Sequence, residues 1–580
     1  MCGIFACANM GMVLPIFGQT YIPTAGTTKW LTEENWSTET VPNGVDATAV
    51  LQQISVPAVA ATEIDGTITL GHLQADVSTR NWIVRGTGAE IYWETSGETL
   101  PSITLDNTGA TTNNLTISAN FRDAVGGPPK ALNINMVDTD EENNGAGLIV
   151  SGNNSDFTGG FNLISSYTHY VTFVYESSLA NNTVNVLSGH KQIRLGSGET
   201  VRTFSSDFNV AGDRLSLYSS ALTAGKVILD GTISGSGEVY YWTYNGGAME
   251  LRGENTYAGN TLIASSLNLI FDGVDNFGTG NSIIFAYSGN SPTLIWAEGN
   301  TDDITKKADG TTRAINLQTA NVKFNIGSND VTFANKIIGY NTPIQPGAPG
   351  SGITKQGAGT LRLLADNTYV ISTLVEEGTL LANNSTGSAT GTSAVTVNAG
   401  ATFGGTGTIR PGVDRSVTIK TDAVLSAGDN GIGNFTIDLN DTTGTLNFED
   451  NSIIAVDLGD AFTADLLTLS ASTSGSVIFL GNTKINIFDV STMGLEVGDY
   501  QLFSAANSAV YSGLTIFEGE ITGGLTIGEN LTGFDFSLWM DGGDIYLKMS
   551  VVPEPGTAVL LGLTFLSLTF RQRTARSSRR

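Results

Sequence analysis

"GGAMELRGENTYAGNTLI" at residues 246–263 and "GAGTLRLLADNTYVISTLV" at 357–375 superimpose without a gap. Gly247 falls on Gly359, Met249 on Leu361 and Leu251 on Leu363, at a constant offset of 112 residues. Asn255-Thr256-Tyr257 falls on Asn367-Thr368-Tyr369, and Thr261-Leu262-Ile263 on Thr373-Leu374-Val375. A weaker copy, "GAGLIVSGNNSDFTGGFNLI" at 145–164, keeps Leu148, Val150, Asn154 and Phe157 with one extra residue before the aromatic. Each copy describes one unit: a glycine, a strand with alternate apolar side chains, a turn holding Asn and an aromatic, and a second strand. Such a unit cannot bury its apolar face alone and must stack on its neighbours. Parallel stacking sets strands about 4.8 Å apart. It lays like side chains over like, so ladders of Asn and of aromatics are expected. The prediction is an all-β chain folded as a right-handed parallel β-helix, a solenoid whose strand edges exist only at its two ends and need caps there.

The texture around the copies agrees. Apolar residues alternate with Thr, Ser and Asn in "GTITLGHL", "NLTISANF", "AVTVNAG", "SVTIKTDA" and "KINIFDV". Clusters of Gly, Asn and Asp separate them about every ten residues, the mark of many short strands joined by tight turns. Helical patterning is nearly absent. Glycine, at 70 of 580 residues, exceeds the usual share of about 7%. Asp and Glu number 55 against 28 Lys and Arg, a formal charge of −27. That balance argues against a nucleic-acid partner, which needs a basic footprint.

The only cysteines are Cys2 and Cys7, so neither a disulfide framework nor a thiolate metal site is expected. His72, His169 and His190 are too scattered for a helical metal motif. Residues 1–19 are apolar and carry no charge. They read as a signal peptide that lacks the usual basic start, the alternative being a buried first strand.

"ITKQGAGTLRLLADNTYVISTLVEEGTLLANN" at 353–384 resembles the autotransporter-associated β-strand repeat of bacterial surface proteins. The matching residues are Lys355, Gly357, Gly359, Leu361, Asn367, Thr368, Tyr369, Gly378, Thr379 and Leu380. Ile371 departs from the pattern, where Gly259 keeps it in the earlier copy. "TKWLTEENWSTETVPNGVDATAVL" at 28–51 is similar to the opening of such proteins, with Trp30, Trp36 and Pro42 as markers. The solenoid is expected over 20–430, with repeats clearest at 145–164, 247–263 and 352–381. Residues 431–550 keep the strand texture but lose the repeat. They are read as a continuation with a cap, a small β-sandwich being the alternative.

Glycan cleavage needs two carboxylates at a set separation. "NTDD" at Asn300–Asp303 and "GHKQIRL" at 189–195 are faintly similar to polygalacturonase elements, in reversed order. In a chain so rich in Asn, Thr and Asp, such tetrapeptides are expected by chance, and a solvated turn is the simpler reading. "MVDTDEENNGAG" at 136–147 gathers Asp138, Asp140, Glu141 and Glu142, but it has neither the EF-hand spacing nor a calcium nonapeptide. No catalytic residue, cofactor or metal ligand is assigned.

The C-terminal "VVPEPGTAVLLGLTFLSLTFRQRTARSSRR" holds Pro553, Glu554 and Pro555, then an apolar run at 557–570, then Arg571, Arg573, Arg576, Arg579 and Arg580. As a helix, fourteen residues span about 21 Å against a hydrocarbon layer of about 30 Å. The run is therefore a marginal span, and the arginines would hold its far end in the cytoplasm. The three-part order resembles the PEP-CTERM sorting signal of Gram-negative bacteria. That resemblance implies an exosortase-type enzyme as partner, transient inner-membrane insertion through a short helix at 557–570, and processing near Pro553–Pro555. Only this tail follows residue 551, so export through a β-barrel of its own is not expected. The sequence thus predicts an exported structural or adhesive solenoid at the cell surface or in the extracellular matrix. Extracellular polysaccharide is a further candidate partner, and a carbohydrate-active enzyme on the same scaffold is the alternative.

Overall fold

The computed structural model describes residues 18–22, 28–52, 59–107, 113–137, 147–164, 170–221, 225–243, 246–286, 291–318, 320–339, 351–440, 443–471 and 475–552. The chain forms two compact units, one of residues 1–295 with 306–313 and one of 296–305 with 314–580. Both are parallel β-helix, as the repeats predict.

In the first unit each turn of the chain supplies strands to stacked parallel faces. One face stacks Gln19–Thr20, Thr48–Leu51, His72–Asp76, Ser102–Asp106, Leu132–Val137, Phe161–Leu163, Val184–Val186, Phe208–Val210 and Ile233–Gly235. A second runs from Val59–Glu63 through Tyr170–Phe173, His190–Gly198, Arg214–Ala221 and Glu238–Trp242 to Thr261–Ala264 and Ser282–Ala286. A third begins as the three strands Thr67–Leu70, Glu90–Trp93 and Asn120–Asp123. A separate ladder on that pattern holds Val201–Phe204, Lys226–Leu229, Ala248–Leu251 and Asn268–Phe271.

The alternation read from sequence decides which side chains enter the core. Ile68 and Leu70, Leu115 and Ile117, and Met249 and Leu251 are fully buried, while the residues between them face outward. Burying each such side chain contributes roughly 1.5–3 kcal/mol. Ladders also form. Asn162 donates to the Oδ1 of Asn133 at 3.0 Å, Asn185 to that of Asn162 at 3.0 Å, and Asn209 to that of Asn185 at 3.4 Å. These asparagines are register partners on consecutive strands. An aromatic column runs inside from Trp93 to Phe121 (5.4 Å between centroids), Phe157 (6.2 Å) and Phe161 (5.4 Å), then to Phe173 (5.3 Å).

The N-terminal edge is closed by aromatics. Tyr21, Trp30 and Trp36 are buried, Trp30 and Trp36 meet edge-on at 4.8 Å, and Tyr21 leans on Trp82. The indole N–H of Trp36 donates to the Trp30 carbonyl at 2.7 Å, and that of Trp30 to the Pro42 carbonyl at 3.3 Å. The three markers at 28–51 therefore build one plug over the first coil.

In the second unit, one parallel face runs from Asn321–Asn325 and Gly352–Gln356 to Val477–Phe479 and Tyr511–Ser512, and another from Val331–Phe333 and Thr360–Leu363 to Thr483–Asp489 and Leu525–Ile527. Phe448 stacks on its register partner Phe479, 5.0 Å apart and 6° from parallel. Parallel pairing runs through 431–527, where the repeat motif is no longer readable in sequence. The third face, Thr408–Ile409, Asn434–Asp438, Leu466–Ser470 and Gly498–Ala505, changes character at its end. There the hairpin Phe534–Asp541 and Asp544–Val551 adds antiparallel, followed by Glu520–Gly523 and Thr515–Phe517. This antiparallel end covers an edge that would otherwise remain open. The expected short C-terminal helix at 557–570 lies outside the described residues.

Candidate functional site

The repeat landmarks all turn inward, and each does the same work in its own coil. Asn255 sits in the turn between Ala248–Leu251 and Thr261–Ala264. Its Oδ1 accepts the backbone N–H of Ile233 at 2.7 Å, and its Nδ2 donates to the Asn276 carbonyl at 2.6 Å. Asn367 repeats this with the Ile337 N–H at 2.7 Å and the Ala389 carbonyl at 2.6 Å. Asn154, from the weakest copy, does so with Phe121 at 2.8 Å and Ser178 at 2.6 Å. All three are buried. The N–H and the carbonyl that each asparagine meets belong to the coils on either side, and buried backbone groups must be satisfied. Asparagine carries a donor and an acceptor on one short side chain, so it ties the coil before to the coil after. In these turns Asn therefore bonds backbone rather than stacking on Asn; the side-chain ladder expected there forms on the strands instead.

Tyr257 and Tyr369 follow two residues later and are fully buried. Each phenol reaches the hydroxyl four residues on, Thr261 at 2.6 Å and Thr373 at 3.1 Å. Burial pushes the Tyr257 phenol up to about 12 and that of Tyr369 up further. Leu361 and Leu363 line the core below. Gly359 is required by close approach: a Cβ there would lie 2.0 Å from the Asn329 carbonyl oxygen.

Lys355, the cation of the repeat pattern, is buried too. Its ammonium donates to the carbonyls of Gly357, of Gly359 at 2.6 Å and of Glu377 at 2.9 Å. Three N–H donors meet three carbonyls, and burial lowers its pKa to about 8. Gly352–Gln356 buries four residues in a row, so no alternation marks Lys355 as inward, and its carbonyl cage was not legible in the sequence either.

Each faint enzymatic element is taken up in local structure. Asp303 spends its carboxylate on a turn: Oδ1 accepts the Thr305 N–H at 2.9 Å and its hydroxyl at 2.6 Å, and Oδ2 accepts the Ala334 N–H at 3.0 Å. The Oδ1 of Asn300 accepts the Asp302 N–H at 2.9 Å. His190 pairs with the Ser216 hydroxyl at 2.6 Å, and burial lowers its pKa to about 4. Arg194 lies over the Tyr170 ring at 3.4 Å. The acidic stretch Asp138–Glu142 lies outside the described residues, as do Pro553, Glu554, Pro555, Arg571 and Arg573. Among the described residues no three His, Cys, Asp or Glu side chains gather as a metal site, and no helix is long and apolar enough to cross a membrane.

Two outer features were not foreseen. One is a shallow hollow of about 450 Å³ in the second unit, lined by Asp499, Glu518, Glu520, Ser537, Trp539 and Lys548. The other is an aromatic face on the first unit. Four adjacent strands place Tyr170, Arg194, Tyr240 and Trp242 together around the buried Tyr218. The period-2 pattern of "YVTF", "KQIRL", "RLSLY" and "EVYYW" puts these residues on the outside of their strands; which of them become neighbours depends on register.

The chain matches no known family model, and no curated protein matches it.

Proposed function

We propose that this chain is an exported, non-catalytic β-solenoid that presents a long strand-built surface at the cell surface or in the extracellular matrix. The observation that carries this reading is the use made of the repeat. Asn154, Asn255 and Asn367 are all committed to locking coil onto coil, and the buried phenols of Tyr257 and Tyr369 brace the turn within their own coil. A motif spent on stacking extends length and surface, which is the property a spacer or adhesin needs. The tail at 551–580 is the address, with Pro553–Pro555 as the motif read by an exosortase-type enzyme and 557–570 as the transient inner-membrane segment. Mass spectrometry of the exported protein tests this. A C-terminus near residue 555 is expected, and an exported chain that still ends in Arg580 overturns the sorting reading.

A second reading has one observation in its favour. The hollow at Asp499, Glu518, Glu520 and Trp539 sets carboxylates beside an aromatic, the ingredients of glycan cleavage. Turnover of pectins and other acidic glycans, lost on Glu518→Gln or Glu520→Gln, would replace the structural reading with the enzymatic one.

A further inference from the structure

The second face of the first unit carries a platform built in three columns, in which Ser216 and Tyr218 are buried supports and Tyr240 and Trp242 are half-buried at the surface. Register places His190, Arg214 and Glu238 side by side on consecutive strands, then Gln192, Ser216 and Tyr240, then Arg194, Tyr218 and Trp242. Tyr170 adjoins Gln192 on the preceding strand. Adjacent strands lie about 4.8 Å apart, and outward residues on one strand recur about every 6.6 Å. The platform is thus broad enough for more than one sugar ring.

Its geometry is fixed before any ligand arrives. The Tyr240 and Trp242 rings lie within 9° of parallel, 6.2 Å between centroids, and Tyr218 meets Trp242 edge-on at 4.8 Å. The Arg194 guanidinium rests 3.4 Å from the centre of Tyr170 and 5.6 Å from that of Tyr218, and its Nε donates to Gln192 at 2.9 Å. Groups held in place by packing lose little freedom on binding.

The charges differ along the platform. Arg214 donates twice to one Glu238 oxygen, at 3.1 and 2.6 Å, so its charge is matched. Burial lowers the pKa of His190 to about 4, which leaves it neutral at physiological pH. Arg194 is met by aromatic faces and an amide, and among the described residues it makes no ion pair. An unmatched guanidinium favours a planar carboxylate. Aromatic faces with hydroxyl and amide groups beside them suit a ring that is apolar on its faces and hydroxylated at its edge.

We propose that this face binds a polysaccharide bearing carboxylate groups, its sugar rings against Tyr240 and Trp242 and a carboxylate at Arg194. The proposal rests on the reading of the chain as an extracellular surface and supplies its partner.

Purified full-length protein run through gels containing polygalacturonate, with dextran gels as the neutral control, tests it. Retardation by polygalacturonate alone is expected. Tyr240→Ala and Trp242→Ala should each weaken it at least tenfold, and Arg194→Gln several-fold with loss of salt dependence. Trp242→Phe, which keeps a ring, should retain most binding and guards against a folding defect; circular dichroism and the melting temperature should match the parent. Binding should not change between pH 5.5 and 7, since His190 stays neutral and the Lys191 ammonium beside it, lowered by burial to about 8, stays charged over that range. Equal retardation in dextran, or binding indifferent to Arg194→Gln and Trp242→Ala, overturns the proposal. So does a change in sedimentation coefficient on Trp242→Ala, which would mark the face as a contact between copies. A chain that binds polygalacturonate yet remains inside the cell overturns the export reading and leaves this one standing.

Discussion

Replacing Asn367 by Asp changes one group and asks what holds the coils together. The side chain keeps its shape and its acceptor for the Ile337 N–H at 2.7 Å. It loses the donor that meets the Ala389 carbonyl at 2.6 Å and sets an oxygen there instead. Leaving a buried acceptor unsatisfied costs about 1–3 kcal/mol. Asn367 is only 3% exposed, so a carboxylate at this site is also disfavoured by burial and its pKa must rise above the free value of about 3.9. A raised folded-state pKa gives a definite sign. The variant keeps its stability below about pH 3.9, where the protonated carboxyl can donate to Ala389. It loses stability as pH climbs through the folded-state value. The expected deficit is about 1 kcal/mol or less near pH 4 and about 3–5 kcal/mol at pH 7. Solenoids open locally, so the assay is hydrogen exchange read by mass spectrometry on peptides covering Ile337 and Ala389. Protection should fall by about two to four orders of magnitude at pH 7 and return largely at pH 4, after correction for intrinsic exchange and for the parent. Equal protection at both pH values would refute the claim that this side chain bridges the coils.

Three further outcomes follow from the same geometry. Lys355→Met strips three carbonyls of their shared ammonium, and at about 1 kcal/mol or more for each it should cost about 2–4 kcal/mol, visible as a lower urea midpoint. Thr261→Val should destabilise more than Tyr257→Phe in thermal melts, by about 1 kcal/mol. The former removes both the phenol's hydroxyl partner and the donor to the Phe277 carbonyl at 3.2 Å, whereas the latter leaves Thr261 that second bond. Asp465 accepts the N–H of Gly433 at 2.8 Å and of Asp457 at 3.0 Å, yet burial, aided by the charge of Asp457, raises its pKa to about 7. With that pKa raised from 3.8, its contribution is complete below pH 3.8 and is lost as pH rises through about 7. Asp465→Asn should therefore flatten the fall in stability between pH 4 and 7, and an unchanged slope in pH-dependent melts would count against the assignment.

The particular residues show how far the sequence reaches. Leu361 and Leu363 could be placed inside because period-2 alternation is a local property of one strand. Asn255 and Tyr257 could be singled out because the motif recurs, and recurrence implies a shared turn. Their partners could not be named. Ile233, Asn276, Ile337 and Ala389 lie a coil away, and among the described residues coil length varies from 19 residues between Thr360 and Thr379 to 42 between Thr483 and Leu525. The bridging role of Asn154 was hidden for the same reason, and so was the Glu377 carbonyl that completes the cage of Lys355. So was the meeting of Arg194, Tyr218 and Trp242, whose outward direction was readable while their adjacency was not.

The sequence by itself determined that this is a stacked parallel β-helix, that its apolar alternation fills the inside, and that Asn and Tyr mark its turns. Those facts depend on strand geometry and on the need of each coil for a neighbour. Only the tertiary structure decided which residues became neighbours, that the asparagines clip backbone to backbone, that an antiparallel hairpin ends the second unit, and that an aromatic platform forms on the first. Lateral contacts in a solenoid are set by register between coils, and register depends on every turn excursion in between, which no local pattern encodes.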